Sequence, residues 1–375
     1  MRKILINGIK FGKLFIFKRF MKFRVIFAGF FLVILTLINS AQELSFDLDK
    51  SFYSVGFKTI LLNDDSRQFK FINQVQAVSR PLRIFIWYPA KKAKKPNYLN
   101  FGDYVYAGNL TKNPAQLNTL EKNDLQNKLA ETLDYFKVTA EQVSDLMQAK
   151  TKAITDAKEQ QGKFPLIVLG NVGEGFYYFA TAEYLAANGY FVISLPSLGA
   201  NEDERCGFDV DCLKIQEKDM EFAIREIGKL QKVDSTKIGV IAWSFSGLAA
   251  AHLSLKNKAI KAVVSLDAAT GYQYGKEILD KSTELDVNQL KPPFLHFHGL
   301  GGNSRVAKNF DFFNSYPVKE KKMITMKNLQ HSDFISLYGK GVRYARKDKN
   351  EIVFAEIEEV HLKNLNFLDK HLKIQ

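Results

Sequence analysis

The chain has 375 residues, 46% hydrophobic and 25% charged, an ordinary balance for a folded protein and enough for one domain with embellishments. Its formal net charge is +13, but residues 1–41 hold eight Lys and Arg and no acid, which leaves +5 for the rest. So mild an excess, with no basic helix and no basic-aromatic array, argues against a nucleic-acid partner.

Residues 1–41 read as a targeting segment. Lys22 and Arg24 follow Met21, Val25 to Ile38 is almost wholly apolar, and Asn39-Ser40-Ala41 ends in small residues. A charged region, an apolar region and a small-residue site make a signal peptide with cleavage after Ala41, and Met21 is the better start. The apolar run is short of the roughly 20 residues of a spanning helix, so an uncleaved anchor is the lesser reading. The expected product is exported, periplasmic or secreted, and touches a membrane only if that segment is retained. Cys206 and Cys212 are the only cysteines. In an exported chain a disulfide between them is expected, with two unrelated thiols as the alternative.

The expected mature chain, 42–375, is a single domain. Tyr53–Leu62 and Arg80–Pro89 read as an antiparallel pair of strands, with a turn at Asn63–Arg67. Leu82, Ile84 and Ile86 alternate with Arg83, Phe85 and Trp87, as a strand with two different faces requires. A helical insert at about 103–160 follows, with helical periodicity over Leu117–Phe136 and Ala140–Lys158. It caps the site or packs on its flank. From Phe164 strands and helices alternate. The strands are Phe164–Leu169, Tyr190–Leu195, Ile238–Ala242, Ile260–Leu266, Phe294–His298 and Lys322–Met326. The helices are Phe176–Asn188, with Gly189 closing it, Cys212–Lys232, the one following Ser244, Val306–Phe313 and Glu351–Leu372. This alternation predicts an α/β fold, a mostly parallel sheet with helices on both faces.

Within it, Ala242-Trp243-Ser244-Phe245-Ser246-Gly247 joins a β-branched run to an Ala-rich helix. Strand, serine at a tight turn and helix form a nucleophile elbow, with Ala242 and Ser246 where glycines are usual. Sites in parallel sheets form beyond the carboxyl ends of strands. Asp267 follows the strand ending at Leu266, and His331 lies in the loop after the last strand. The loop Gly299-Leu300-Gly301-Gly302-Asn303 offers no acid, which favours Asp267. Ser244 is then the candidate nucleophile, His331 its base and Asp267 the group that orients the imidazole. The expected oxyanion donors are the backbone N–H groups of Phe245 and, from the Gly170–Gly173 loop, Val172. Ser246 is a weaker nucleophile candidate. His298 is a pocket candidate and His296 a core or edge residue.

These residues resemble the α/β-hydrolase superfamily. More narrowly, the chain resembles its branch of dienelactone hydrolases and platelet-activating-factor acetylhydrolases. The resemblance rests on Val55-Gly56-Phe57, Arg80-Pro81-Leu82 through Trp87-Tyr88-Pro89, Lys237-Ile238-Gly239-Val240, the elbow at Ser244, Ser265-Leu266-Asp267 and His331-Ser332-Asp333-Phe334. It implies hydrolysis of small-molecule or lipid-like carboxylic esters through an acyl-enzyme, with no metal or organic cofactor. Gly170-Asn171 stands where the family has His-Gly, and Trp243 where His is common. The alternatives are an amide or peptide hydrolase with the same residues, or a catalytically silent member that binds a ligand.

Overall fold

The computed structural model describes residues 44–375 except 156, 171, 203–205, 283–288, 302–308 and 374–375. The expected signal segment and the start at Met21 lie outside the described residues, as does Asn171. Among the described residues no helix is long and apolar enough to cross a membrane.

The chain opens with strands β1 (Ser54–Phe69) and β2 (Val78–Ala90), which pair antiparallel. The expected turn at Asn63–Arg67 is instead a bulge inside β1, where the register jumps between Asp64 and Gln68. The turn-forming residues still act locally. Asp64 accepts hydrogen bonds from the Ser66 amide and hydroxyl and from Arg67 Nε, so the chain kinks and then resumes pairing. Next come β3 (Tyr98–Asn100), α1 (Phe101–Ala107), α2 (Thr119–Asp134), α3 (Ala140–Gln148) and β4 (Lys150–Ile154).

The last of these corrects the sequence reading, in which one helix ran from Ala140 to Lys158. The helix stops at Gln148, and Ala149 turns extended. The free edge of β1 then recruits Ala153 and Ile154 as a strand, with β3 on the other side. A single apolar residue such as Ile154 fits either period.

The regular α/β part comprises β5 (Phe164–Gly170), α4 (Phe179–Ala187), β6 (Phe191–Ser194), α5 (Val210–Ile227), β7 (Val233–Trp243), α6 (Ser246–Lys256) and β8 (Ile260–Leu266). It continues with α7 (Gln273–Leu279), β9 (Phe294–Gly299), α8 (Asp311–Ser315), β10 (Lys321–Met326), α9 (Val342–Ala345) and α10 (Glu351–Leu372). Part of the expected helix Val306–Phe313 lies outside the described residues; the described helix there begins at Asp311. Gly189, at φ +91°, reverses the chain after α4 as a side-chain-free residue should.

Among the described residues all strands join one 10-stranded sheet in the order β10-β9-β8-β7-β5-β6-β2-β1-β4-β3. From β6 through β10 neighbouring strands are parallel. Each face carries its own core. Phe85, Trp87, Ile167 and Leu169 pack on one side with Leu365 and Leu368 of α10. Leu82, Ile84, Ile86, Leu166 and Val168 pack on the other with α5 and α6. The period-2 alternation in β2 is thus a division between two helical layers. Strand order reverses at β5, which lies between β6 and β7, so the loops leaving β5 and β7 meet at a topological switch point.

Cys206 and Cys212 form a disulfide, with Cα atoms 5.3 Å apart, at the entry to α5. A crosslink over so short a loop should contribute about 2 kcal/mol through the unfolded chain. Urea unfolding of the double variant Cys206→Ser/Cys212→Ser should show that loss, and an unchanged midpoint would contradict it.

Candidate active site

The elbow is built by crowding. Ser244 has φ +57°, a left-handed conformation that a β-substituted residue adopts at a cost of about 1–3 kcal/mol. Behind it, a Cβ on Gly247 would stand 2.5 Å from the Ala268 Cβ, so α6 can leave the turn only over a glycine. Ser246 fills the second small position and donates its hydroxyl to the Trp243 carbonyl at 2.7 Å. It is buried and serves the turn.

Register sets the second residue. Trp243 and Leu266 are partners across β7 and β8, so Ser244 and Asp267 are the next residues on neighbouring strands. Asp267 also has positive φ, +44°, and its amide donates to the Phe297 carbonyl at 2.8 Å. Leu266 pairs with Phe297, which places His298 beside Asp267 on β9. The chain then leaves β10 and returns His331 in a short 3-10 turn, His331–Phe334.

The three sequence candidates meet. His331 Nε2 is 3.0 Å from Ser244 Oγ, and His331 Nδ1 is 2.8 Å from Asp267 Oδ2. An ionised carboxylate only accepts, so the proton is assigned to Nδ1, which leaves Nε2 to accept from the serine hydroxyl. That tautomer is the one a general base needs. The His331 side chain is 46% exposed, so the helical insert leaves it open to solvent.

Further residues surround these three, among them the pocket candidate His298 and the elbow residue Trp243. The Trp243 indole stacks on the His331 ring at 4.7 Å and donates to the His331 carbonyl at 2.8 Å. Asp333 accepts from the Gln330 amide at the start of the turn and from Arg343 Nη2 of α9, and so braces the loop that carries His331. Around Asp267 Oδ1 converge the Tyr272 hydroxyl, the Gly299 amide at 3.2 Å and His298 Nδ1 at 3.4 Å. His298 Nδ1 is also 2.8 Å from the Tyr272 oxygen. His296 is not part of this cluster: buried against Ser265, it is pushed down to about 3 by desolvation and stays neutral.

Burial alone would raise the Asp267 carboxyl. The hydrogen bonds from His298, His331 and Tyr272, with the charge of His331, outweigh it and hold the group well below the usual carboxylate range. Burial and the neighbouring Asp267 charge raise Tyr272 in turn, so it remains a protonated donor.

Gly170 pairs with Ala242, so the loop after β5 and the elbow depart side by side. Val172 and Ser244 each stand two residues beyond that pair. Gly173, at φ +150°, turns this loop, and its carbonyl accepts the Ser197 amide at 2.7 Å. Phe245 opens α6 with helical φ and ψ; N–H groups at a helix start have no intrahelical acceptor and point outward. Among the described residues no group of His, Cys, Asp and Glu is arranged to hold a metal ion.

The fold is similar to that of a ferulic acid esterase from Streptomyces cinnamoneus, at TM-score 0.60 and 17% identity over 89% of this chain and 94% of that one. A looser likeness, TM-score 0.45 at 14% identity, relates 87% of this chain to 43% of an acylaminoacyl peptidase from Pyrococcus horikoshii. No family model and no curated protein matches the sequence. The chain has the α/β-hydrolase fold.

The balance at Asp267 is open to test by linkage. The folded carboxyl titrates below its ordinary value of 3.8, so its ionised form stabilises the fold above that value, and the contribution is lost as the pH falls toward the folded one. Between about pH 5 and about pH 3 the wild type should lose more unfolding free energy than Asp267→Asn does. Equal slopes would contradict the compensation described. At neutral pH, Tyr272→Phe should cost about 1–3 kcal/mol in urea unfolding.

Proposed function

We propose that this chain is an exported serine hydrolase that cleaves carboxylic esters through an acyl-enzyme. The observation that carries the reading is the hydrogen-bonded series Ser244–His331–Asp267, at 3.0 and 2.8 Å, with the serine on a strained turn. Ser244 Oγ attacks the carbonyl carbon while its proton passes to His331 Nε2. The tetrahedral oxyanion takes hydrogen bonds from the Phe245 and Val172 amides. As the bond to the alcohol oxygen breaks, His331 returns the proton to that oxygen and the acyl group stays on Ser244. Water then repeats the sequence, giving its proton to His331 and releasing the acid, and the proton goes back to Ser244. Asp267 holds the imidazole and stabilises its charged form.

The acid's place at the end of β8, next to the elbow strand, supports the narrower likeness to dienelactone hydrolases and platelet-activating-factor acetylhydrolases. Export is supported by the Cys206–Cys212 disulfide, which suits an oxidising compartment. The expected mature chain is packed within a few residues of its start, which suits cleavage there: Leu44 and Phe46 are buried, and the Ser45 hydroxyl donates to buried Glu183 at 2.6 Å.

A fluorophosphonate probe should label the purified protein once, and Ser244→Ala should abolish labelling. The same variant should lower hydrolysis of 4-nitrophenyl acetate about 1,000-fold or more. Folded wild-type protein that takes no label would sink the proposal and leave a silent binding protein.

A further inference from the structure

A second concave feature lies beside the candidate active site. The β1–β2 connection, α1, α2, the loop after β5 and the loop after β6 enclose a cavity of about 460 Å³. That is the size of a small-molecule site. Its wall at Phe176 and Tyr177 belongs to the segment that follows Gly173. Tyr177 meets Tyr338 at 5.5 Å, Tyr338 meets Trp243 at 6.1 Å, and Trp243 stacks on His331. An aromatic partition therefore joins the cavity to the site.

The lining defines what fits. Asn73, Gln74 and Glu174 line the cavity, and a hydrocarbon chain would strip water from them without replacing their hydrogen bonds; Asn109 and Thr111 line it too, bonded to each other. The carboxylates of Glu174 and Glu202 disfavour an anion, and Lys128 among them disfavours a fixed cation. Leu125 and Phe176 add apolar surface. An uncharged group carrying several hydroxyls meets both demands, with donors for the carboxylate and C–H surface for the apolar wall.

Glu174 is available for that role. No described residue donates a hydrogen bond to its carboxylate, and it does not cap its own turn. It lines the cavity with an exposed side chain, and a Cβ on Gly108, across the cavity rim, would stand 3.8 Å from its Oε2. The surrounding protein raises the carboxyl, with the Lys128 charge opposing.

We propose that this cavity binds a neutral, polyhydroxylated group of the substrate, with Glu174 as its main hydrogen-bonding partner. Its use in turnover rests on the ester-hydrolase reading; its occupancy does not. Calorimetric titration of Ser244→Ala with xylotriose and with cellotriose measures binding without turnover. Saturable binding of at least one is expected, weakened about tenfold by adding Glu174→Gln. Hydrogen exchange should slow in residues 105–111 and in α2 when the sugar is bound. Binding of neither sugar, binding unaffected by Glu174→Gln, or preference for triglycine or octanoate would overturn the proposal. If Glu174→Gln does not fold, exchange on Ser244→Ala decides: protection around the cavity supports it, and protection only elsewhere overturns it. Protein that binds the sugar yet takes no fluorophosphonate keeps the cavity assignment and loses the hydrolase reading.

Discussion

Two neighbouring parallel strands each end on a non-glycine residue in left-handed backbone, Ser244 after β7 and Asp267 after β8. Neither conformation is comfortable, and together they cost a few kcal/mol that the packing around them must offset. What offsets it is continuity with the sheet. The Ser244 amide still reaches the Leu266 carbonyl at 3.4 Å, and the Asp267 amide reaches Phe297. The Ala269 amide donates to the Ser244 carbonyl at 2.9 Å, tying the two turns together. Strain at the ends is held by ladder bonds behind them, and both side chains are thereby aimed at one point beyond the sheet.

The electrostatics follow from that placement. A carboxylate at the end of a central strand is buried, and burial alone would drive it toward the neutral acid. Tyr272, His298, Gly299 and His331 supply the donors that keep it charged. His331 is in the opposite situation: its ring is half in solvent and is located by what grips its edges. Trp243 does this from the elbow strand, and the Asp333–Arg343 pair does it from the chain beyond. Trp243, the residue before Ser244, thus positions His331, so an unusual residue at the elbow is a connected part of the site.

The sequence carried the main outline. Buried apolar runs of strand length, each followed by a polar or glycine-rich exit, revealed the parallel sheet, and the exits revealed Ser244, Asp267 and His331. The failures have physical causes. Asn63–Arg67 has turn residues, and they do make a local turn, but as a bulge in a strand that continues to Phe69. Lys150–Ile154 became a strand because the edge of β1 was open to it, a tertiary fact with no local sign. Tyr272 and His298 join Asp267 only through register and loop return. Glu174 reads as one more loop acid, and only the fold brings it to a cavity that α1 and α2 also line. Gly170-Asn171 departs from the His-Gly of the superfamily that the sequence resembles.

The central claim is that Ser244 becomes acylated and that His331 later delivers water to the acyl group. The most direct measurement is rapid acid quenching of wild-type protein during turnover of 4-nitrophenyl acetate, followed by peptide mass mapping. One acetyl group on the peptide carrying Ser244, absent before mixing and gone once substrate is exhausted, is the predicted result. Turnover with no acetyl group at Ser244 at any time, or with the acetyl group on another residue, would contradict the account.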